Sequence, residues 1–161
     1  MTSESAASWD ASVVAKVIAA NKDRAGSLLP VLHGIQDAVG YIPSDAVPLI
    51  AKGLNISRAE VHGVITYYPH FRQHKTGRHV VQVCRAEACQ SVGSDLLEAH
   101  VKKTVCCGLH ETSADGDITL EPVYCLGHCS VGPNITIDDV VHARVTPTRF
   151  DSLLAAARSA K

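Results

Sequence analysis

Four cysteines occur as two pairs, Cys84 with Cys89 in CRAEAC and Cys125 with Cys129 in CLGHC. The pattern is C-x4-C, then 35 residues, then C-x3-C. Each pair follows a run of strand type, HVVQV or ITLEPVY, and strands that end at the same edge of a sheet bring their loops together. A pocket of four thiolates suits soft metals, which means an iron–sulfur cluster or zinc.

The spacing of the two pairs favours an iron–sulfur cluster. Neither pair has the C-x2-C spacing that structural zinc sites usually contain, and a two-iron cluster is wider than one ion and accepts longer loops. Gly127, Gly132 and Pro133 in GHCSVGP would let the backbone approach inorganic sulfides and direct N–H groups at them. A zinc site and a thiol–disulfide exchange pair stay open as alternatives.

Several neighbouring residues are expected to lie outside the ligand set. Cys106 and Cys107 in KTVCCGLH have no partner at ligand spacing, so they are predicted to be structural thiols, with Cys106 the more buried. His128 lies inside the second pair, but four thiols are already present, and we expect it to be exposed or to lie behind the ligands. Arg85 and Glu87 are predicted to belong to a solvated loop.

The first half of the chain has apolar residues at helical spacing, which predicts helices. Gly40 and Gly53 are predicted to end two of them, Ser57 and Glu60 fit a capping box, and Pro69 ends the last. The segments are ASVVAKVIAANK, SLLPVLHGIQDAVG, SDAVPLIAKGL and SRAEVHGVITYY.

The second half mixes strand-type and helical segments. Thr146 and Pro147 predict the start of a last helix, and the polar segment RQHKTGR predicts a boundary between two regions. The predicted organisation is a helical region at 1–76 that docks a partner, followed by an α+β or α/β domain at 77–161. Its predicted strands are HVVQVC, ITLEPVY, NITI and VVHARV, with a helix at DLLEAHVKK.

Composition excludes several classes of function. The 161 residues are 46% hydrophobic with a formal net charge of −1, and the basic residues form no stripe, which argues against nucleic-acid binding. No signal peptide or long apolar run occurs, so we expect a cytoplasmic protein without membrane insertion. In a reducing compartment, six cysteines indicate metal or redox chemistry. G-x-G-x-x-G and catalytic motifs are absent, so no substrate site is predicted on this chain.

Three segments resemble the thioredoxin-like 2Fe-2S ferredoxin family. They are HGIQDAVGYIPSDAVPLIAKGLNISRAEVHGVITYYPHF, GRHVVQVCRAEACQSVG and LEPVYCLGHCSVGPNI. The resemblance implies that Cys84, Cys89, Cys125 and Cys129 hold one 2Fe-2S cluster in a thioredoxin-like domain. It also implies that the helical N-terminal region packs on a partner subunit. The family includes the 24-kDa subunit of respiratory complex I and subunits of NAD-reducing hydrogenases, which are alternatives for this chain.

Within the family, SRAEVHGV, CRAEACQ and LEPVYCLG are most similar to the gamma subunit of NAD-dependent formate dehydrogenase. That similarity implies a non-catalytic electron-transfer subunit in a complex that passes electrons between formate and NAD+. FMN and the NAD site would lie on a beta subunit, and a molybdenum or tungsten cofactor on an alpha subunit that oxidises formate. The alternative from a different class is an interaction module stabilised by zinc on four cysteines.

Overall fold

The protein is described by a computed structural model that covers residues 9–160, and the chain divides into two units between Lys75 and Thr76. The described part of the first unit is helical, as the sequence predicts. A single 3-10 turn at Ser44–Ala46 precedes its third helix. The helices are α1 (Ala11–Asn21), α2 (Leu28–Val39), α3 (Val47–Leu54) and α4 (Arg58–Tyr67).

The helices of the first unit bury one apolar core. Their inward residues include many of those at the predicted helical spacing, and burial of each large side chain stabilises the fold by about 1.5–3 kcal/mol. Buried members from all four helices and the following loop include Val14, Val31, Leu32, Ile35, Ile50, Val61 and Phe71.

The predicted signals at two helix ends are confirmed. Gly40 follows α2 with φ 90°, a left-handed conformation that glycine adopts without steric cost. At the start of α4, the Glu60 N–H donates to Ser57 Oγ at 3.1 Å, and the Ser57 N–H donates to Glu60 Oε2 at 2.8 Å. This capping box satisfies two backbone donors that the first turn of a helix leaves without partners.

The prediction that Gly53 ends a helix is wrong. Gly53 lies inside α3, and Asn55, with φ 54°, follows the helix in the left-handed conformation instead. A Cβ atom on Gly53 would lie 2.5 Å from Cγ2 of Ile18 on α1. Glycine is therefore present because α1 and α3 pack closely there, and the sequence pattern of a single glycine does not distinguish these two roles.

The second unit contains a five-stranded mixed sheet in the order β2-β3-β1-β4-β5. The central strands β1 and β3 are parallel, and the other neighbours are antiparallel. Except for the two-residue β2, every strand lies in a predicted strand-type segment. The strands are β1 (His79–Cys84), β2 (Glu111–Thr112), β3 (Ile118–Val123), β4 (Ile135–Ile137) and β5 (Val140–His142).

Three helices accompany this sheet: α5 (Glu87–Gln90), α6 (Ser94–Val105) and α7 (Pro147–Ser159). Thr146 caps α7, as predicted, by accepting a hydrogen bond from the Arg149 N–H. The core between sheet and helices includes Val81, Val83, Leu97, Val101, Ile118, Leu120, Ile135 and Phe150. Across residues 9–160, no helix combines the length and the hydropathy that crossing a membrane requires.

Candidate metal centre

The two cysteine pairs follow neighbouring parallel strands. In the register of β1 and β3, Cys84 lies opposite Val123, and the Arg85 N–H donates to the Val123 carbonyl at 2.8 Å just beyond the ladder. Cys125 comes two residues after Val123. The expectation that two strand ends at one sheet edge bring the cysteine loops together is therefore confirmed.

The first pair is buried. Cys84 is the last residue of β1 and Cys89 lies in the short helix α5, and each is 1% exposed. Burial raises the pKa of the Cys89 thiol, and the adjacent Cys84 thiol raises it further. Hydrogen bonds from the backbone and side chain of Asn134 lower the pKa of Cys89 and so offset part of this increase. The two thiols of the first pair therefore lie close enough to interact.

The second pair is exposed. Cys125 Sγ and Cys129 Sγ are 3.4 Å apart, and Cys129 begins a 3-10 turn that runs to Val131. The Gly127 N–H donates to Cys125 Sγ at 3.3 Å, and this bond, more than the contact with Cys129, lowers the pKa of Cys125. Contact with Cys125 raises the pKa of Cys129, and the Cys84 thiol adds to that increase. Cys84 and Cys129 therefore link the two pairs electrostatically.

The backbone around the second pair is unusual. Cys125 has φ 101°, a region that residues with a side chain rarely adopt and that costs on the order of 1–3 kcal/mol. Gly132 packs closely against the first pair, because a Cβ there would lie 2.9 Å from Val92 Cγ2 and 3.3 Å from Cys89 Sγ. The predicted approach of the backbone to inorganic sulfides stays a prediction. The loop of the second pair is therefore packed closely against Cys89 at Gly132, and its Gly127 N–H is directed at Cys125 Sγ.

The donor set fits an iron–sulfur cluster with two thiolates on each iron. The four thiols form two neighbouring pairs, the chemistry is that of soft ligands, and N–H groups point at two of the sulfurs. Among residues 9–160 no group of three or more His, Cys, Asp or Glu side chains is arranged around a single ion, as a zinc site on four cysteines would require. A two-iron cluster would need only two thiolates for each iron.

Other residues near the cysteines differ in part from the sequence predictions. His128 is exposed, and its Nδ1–H donates to the Leu126 carbonyl at 2.9 Å. Arg85 is not simply solvated, because its Nε lies 2.9 Å from Oε2 of Glu98, which also pairs with Lys102. Glu98 is 8% exposed, and the two cations compensate its buried charge.

The prediction that Cys106 is the more buried of the adjacent thiols is wrong. Cys106 is exposed and Cys107 is half-buried. Cys106 follows α6 in the left-handed conformation, with φ 54°, so the chain turns away from the helix at this position. Cys107 instead packs against the core of the second unit, where burial raises the pKa of its thiol. The apolar helical pattern stops before this turn and gives no signal for it.

Asn134 is a residue of the site that the sequence did not reveal. It is 1% exposed and lies immediately before β4, and its Nδ2 contacts both Cys89 Sγ and the His128 carbonyl. Its position beside the cysteines depends on the antiparallel pairing of β4 with β1, in which Ile135 lies opposite Val83. A single asparagine between apolar residues carries no signal for that pairing.

Comparisons with a family model and with known proteins agree on one family. The model of the thioredoxin-like 2Fe-2S ferredoxin family matches residues 14–158. A subunit of the NADH-quinone oxidoreductase of Pseudomonas aeruginosa is 35% identical over 135 residues, which are 84% of this chain and 81% of that protein. Its counterpart in the NADH-quinone oxidoreductase of Escherichia coli K12 is 34% identical over 133 residues, 83% of this chain and 80% of the relative.

A hydrogenase subunit and a solved hydrogenase structure are also similar. The NADP-reducing hydrogenase subunit HndA of Solidesulfovibrio fructosivorans is 27% identical over 142 residues, 88% of this chain and 83% of that subunit. The crystal structure of an air-oxidized NAD+-reducing NiFe hydrogenase aligns with a TM-score of 0.66 at 17% identity. The alignment covers 80% of this chain and 22% of the hydrogenase chain, and at this identity it supports the fold alone.

Proposed function

Because the chain belongs to the thioredoxin-like 2Fe-2S ferredoxin family, we propose that Cys84, Cys89, Cys125 and Cys129 hold one 2Fe-2S cluster. We propose further that the chain is an electron-transfer subunit of an NAD-linked oxidoreductase complex. The observation that carries the proposal is the meeting of two cysteine pairs at the ends of parallel β1 and β3. When bound, the cluster supplies transfer of single electrons.

The residues around the site have distinct tasks in this proposal. Cys84 and Cys89 anchor the cluster to the core of the domain, where burial excludes water from one side. Cys125 and Cys129 leave the other side open, and Tyr124 beside them is 65% exposed. An exposed aromatic residue next to an exposed redox centre fits a surface that a partner subunit covers.

The proposed type of complex rests on the relatives. The similar proteins from NADH-quinone oxidoreductase and from an NADP-reducing hydrogenase favour a complex of these two types, with a flavin- and NAD(P)-binding partner next to this chain. The sequence segments favoured the gamma subunit of formate dehydrogenase. That assignment has less support from the relatives and stays a second candidate. It rests on SRAEVHGV, CRAEACQ and LEPVYCLG alone.

Metal and sulfide analysis of the purified chain tests the first part of the proposal. A 2Fe-2S protein is red-brown and contains about two irons and two acid-labile sulfides per chain. Colourless protein with about one zinc per chain would instead support the zinc-stabilised module.

Co-purification from the native cells tests the second part. A tagged chain should retain a flavin-containing subunit together with hydrogenase or quinone-reducing subunits. Retention of a subunit with a molybdenum or tungsten cofactor would favour the formate dehydrogenase. A chain that purifies with its cluster but without oxidoreductase subunits would contradict the proposed assembly.

A further inference from the structure

Asn134 connects the two cysteine loops through hydrogen bonds of both its side chain and its backbone. Its Nδ2 donates to the His128 carbonyl at 2.8 Å and to Cys89 Sγ at 3.5 Å. The backbone carbonyl of Asn134 accepts a hydrogen bond from the Cys84 N–H at 3.1 Å. A residue that is 1% exposed thus contacts the loop of the second pair and both cysteines of the first.

The contacts fix the orientation of the Asn134 amide. The carbonyl of His128 only accepts, so the atom 2.8 Å from it has to be the nitrogen of the amide. The opposite orientation would place two oxygens against each other and remove the donor from Cys89 Sγ. The amide therefore presents N–H groups, and no acceptor, to the sulfur.

The other end of the same amide has no partner among residues 9–160. Asn134 Oδ1 is buried without a hydrogen bond. An unpaired buried acceptor destabilises a fold, and an apolar side chain of similar size would avoid that cost. The reason for an asparagine here therefore lies at the donor end of the amide, which contacts both the His128 carbonyl and Cys89 Sγ.

We infer that Asn134 is a positioning residue that raises the reduction potential of the cluster, because its amide donates to the sulfur of Cys89. The inference rests on the proposed function, since it requires Cys89 to be a cluster ligand. Hydrogen bonds to cluster sulfurs stabilise the reduced form, which carries one more negative charge, and so raise the potential. The bond to the His128 carbonyl holds the amide in place and ties the second loop to the first.

The test compares the midpoint potential of the cluster-loaded wild type with N134L and N134A, measured by optical redox titration. N134L removes the side-chain donor, leaves the backbone N–H of residue 134 in place and keeps most of the volume. N134A provides the measurement should the larger side chain not be accommodated. Both variants should shift to a lower potential. Both should also lose visible absorbance to a chelator faster than the wild type, because the two loops are no longer tied together.

T136V is the matched control. Thr136 is 3% exposed, lies two residues further along, and donates from Oγ1 to Gln82 Oε1 at 2.9 Å, so the variant loses a buried hydrogen bond to a side chain of β1. It should be less stable than the wild type but have the same potential. The inference is overturned if N134L and N134A bind the cluster with the wild-type potential, or shift no more than T136V. A wild-type chain that binds no cluster would overturn the proposed function instead.

Discussion

At the scale of single residues, the four cysteines are not equivalent. Cys84 and Cys89 are each 1% exposed, whereas Cys125 and Cys129 are on the surface. A buried thiol replaced by a hydroxyl leaves a polar group without a partner, which costs about 1–3 kcal/mol. The same replacement at an exposed position usually changes stability by less than about 0.5 kcal/mol. Ligand function and fold stability can therefore be separated.

Single cysteine-to-serine variants test this separation. All four, C84S, C89S, C125S and C129S, should lose most of the visible absorbance, because a pocket of three thiolates leaves one iron without its ligand. Without the cluster, only C84S and C89S should unfold at clearly lower denaturant concentration. The double variant C106S/C107S is the control and should keep its colour. Loss of colour in this control, or full colour in one of the four, would contradict the ligand assignment.

Residue types and spacing were enough to single out the four thiols, but not the residues that surround them. The cysteines are recognised because soft ligands in paired loops have few other uses. Asn134 and the close contact at Gly132 depend on which strands become neighbours, and that information is not local in the sequence. The exposure of Cys106 depends on one left-handed residue after α6, which helical periodicity does not encode.

At the scale of helices and strands, the same residue type has opposite roles in different places. Gly53 and Gly63 both lie inside helices of the first unit. A Cβ on Gly53 would lie 2.5 Å from the buried Ile18, whereas nothing lies within 4 Å of one on Gly63. Periodicity predicted the existence of α1 to α4, but their mutual packing decides what each glycine does.

The two glycines give predictions of opposite sign. G63A should stabilise the chain by about 0.5–1 kcal/mol, because alanine is the better helix former at an open position. G53A should destabilise it by about 1–3 kcal/mol, because the methyl group overlaps a branched side chain that cannot easily move. Chemical denaturation measures both. Equal changes for the two variants would show that α1 and α3 do not pack as described.

Asp117 joins three elements of the second unit. At the start of β3 its carboxylate accepts from Arg78 Nε at 2.8 Å and from Arg158 Nε on α7 at 2.7 Å. The Arg78 hydrogen bond, and to a smaller extent Arg158, holds the pKa of Asp117 below its usual value of 3.8. An aspartate with a lowered pKa stabilises the fold above its unfolded pKa, and this contribution disappears as pH falls through the folded value.

The effect of D117N should therefore depend on pH. At pH 7 the variant should unfold at lower temperature than the wild type, and the difference should shrink as the pH falls below about 4. Exposed Asp37 on α2 provides the control D37N, which should show little difference at either pH. A D117N difference that stays constant between pH 7 and pH 3 would argue against the ion pairs with Arg78 and Arg158.

At the scale of the whole molecule, each unit has its own core, and the first unit exposes part of its apolar surface. Tyr67 is 77% exposed, Tyr68 41% and Leu29 37%. Aromatic residues on a surface are typical of the centres of protein interfaces. The sequence predicts that residues 1–76 dock a partner, and we propose that they dock the flavin-bearing subunit through this surface.

Hydrogen exchange tests the docking surface. When the flavin-bearing subunit is added, backbone amides of α4 near Tyr67 and of α2 near Leu29 should exchange more slowly, because the interface excludes water. The double variant Y67S/Y68S should weaken the complex by tenfold or more, which corresponds to the loss of about 1.4 kcal/mol or more of binding free energy. Exposed Val140 on β5 supplies the control V140S, which should bind normally. Unchanged exchange in α2 and α4 would rule out this surface.

We propose that the two cysteine pairs together hold a cluster of two irons. Iron X-ray absorption of the purified chain measures this arrangement directly. The account predicts that each iron has four sulfur neighbours and one iron neighbour, and that the iron neighbour disappears in C84S. An iron without an iron neighbour in the wild type, or zinc bound in its place, would contradict it.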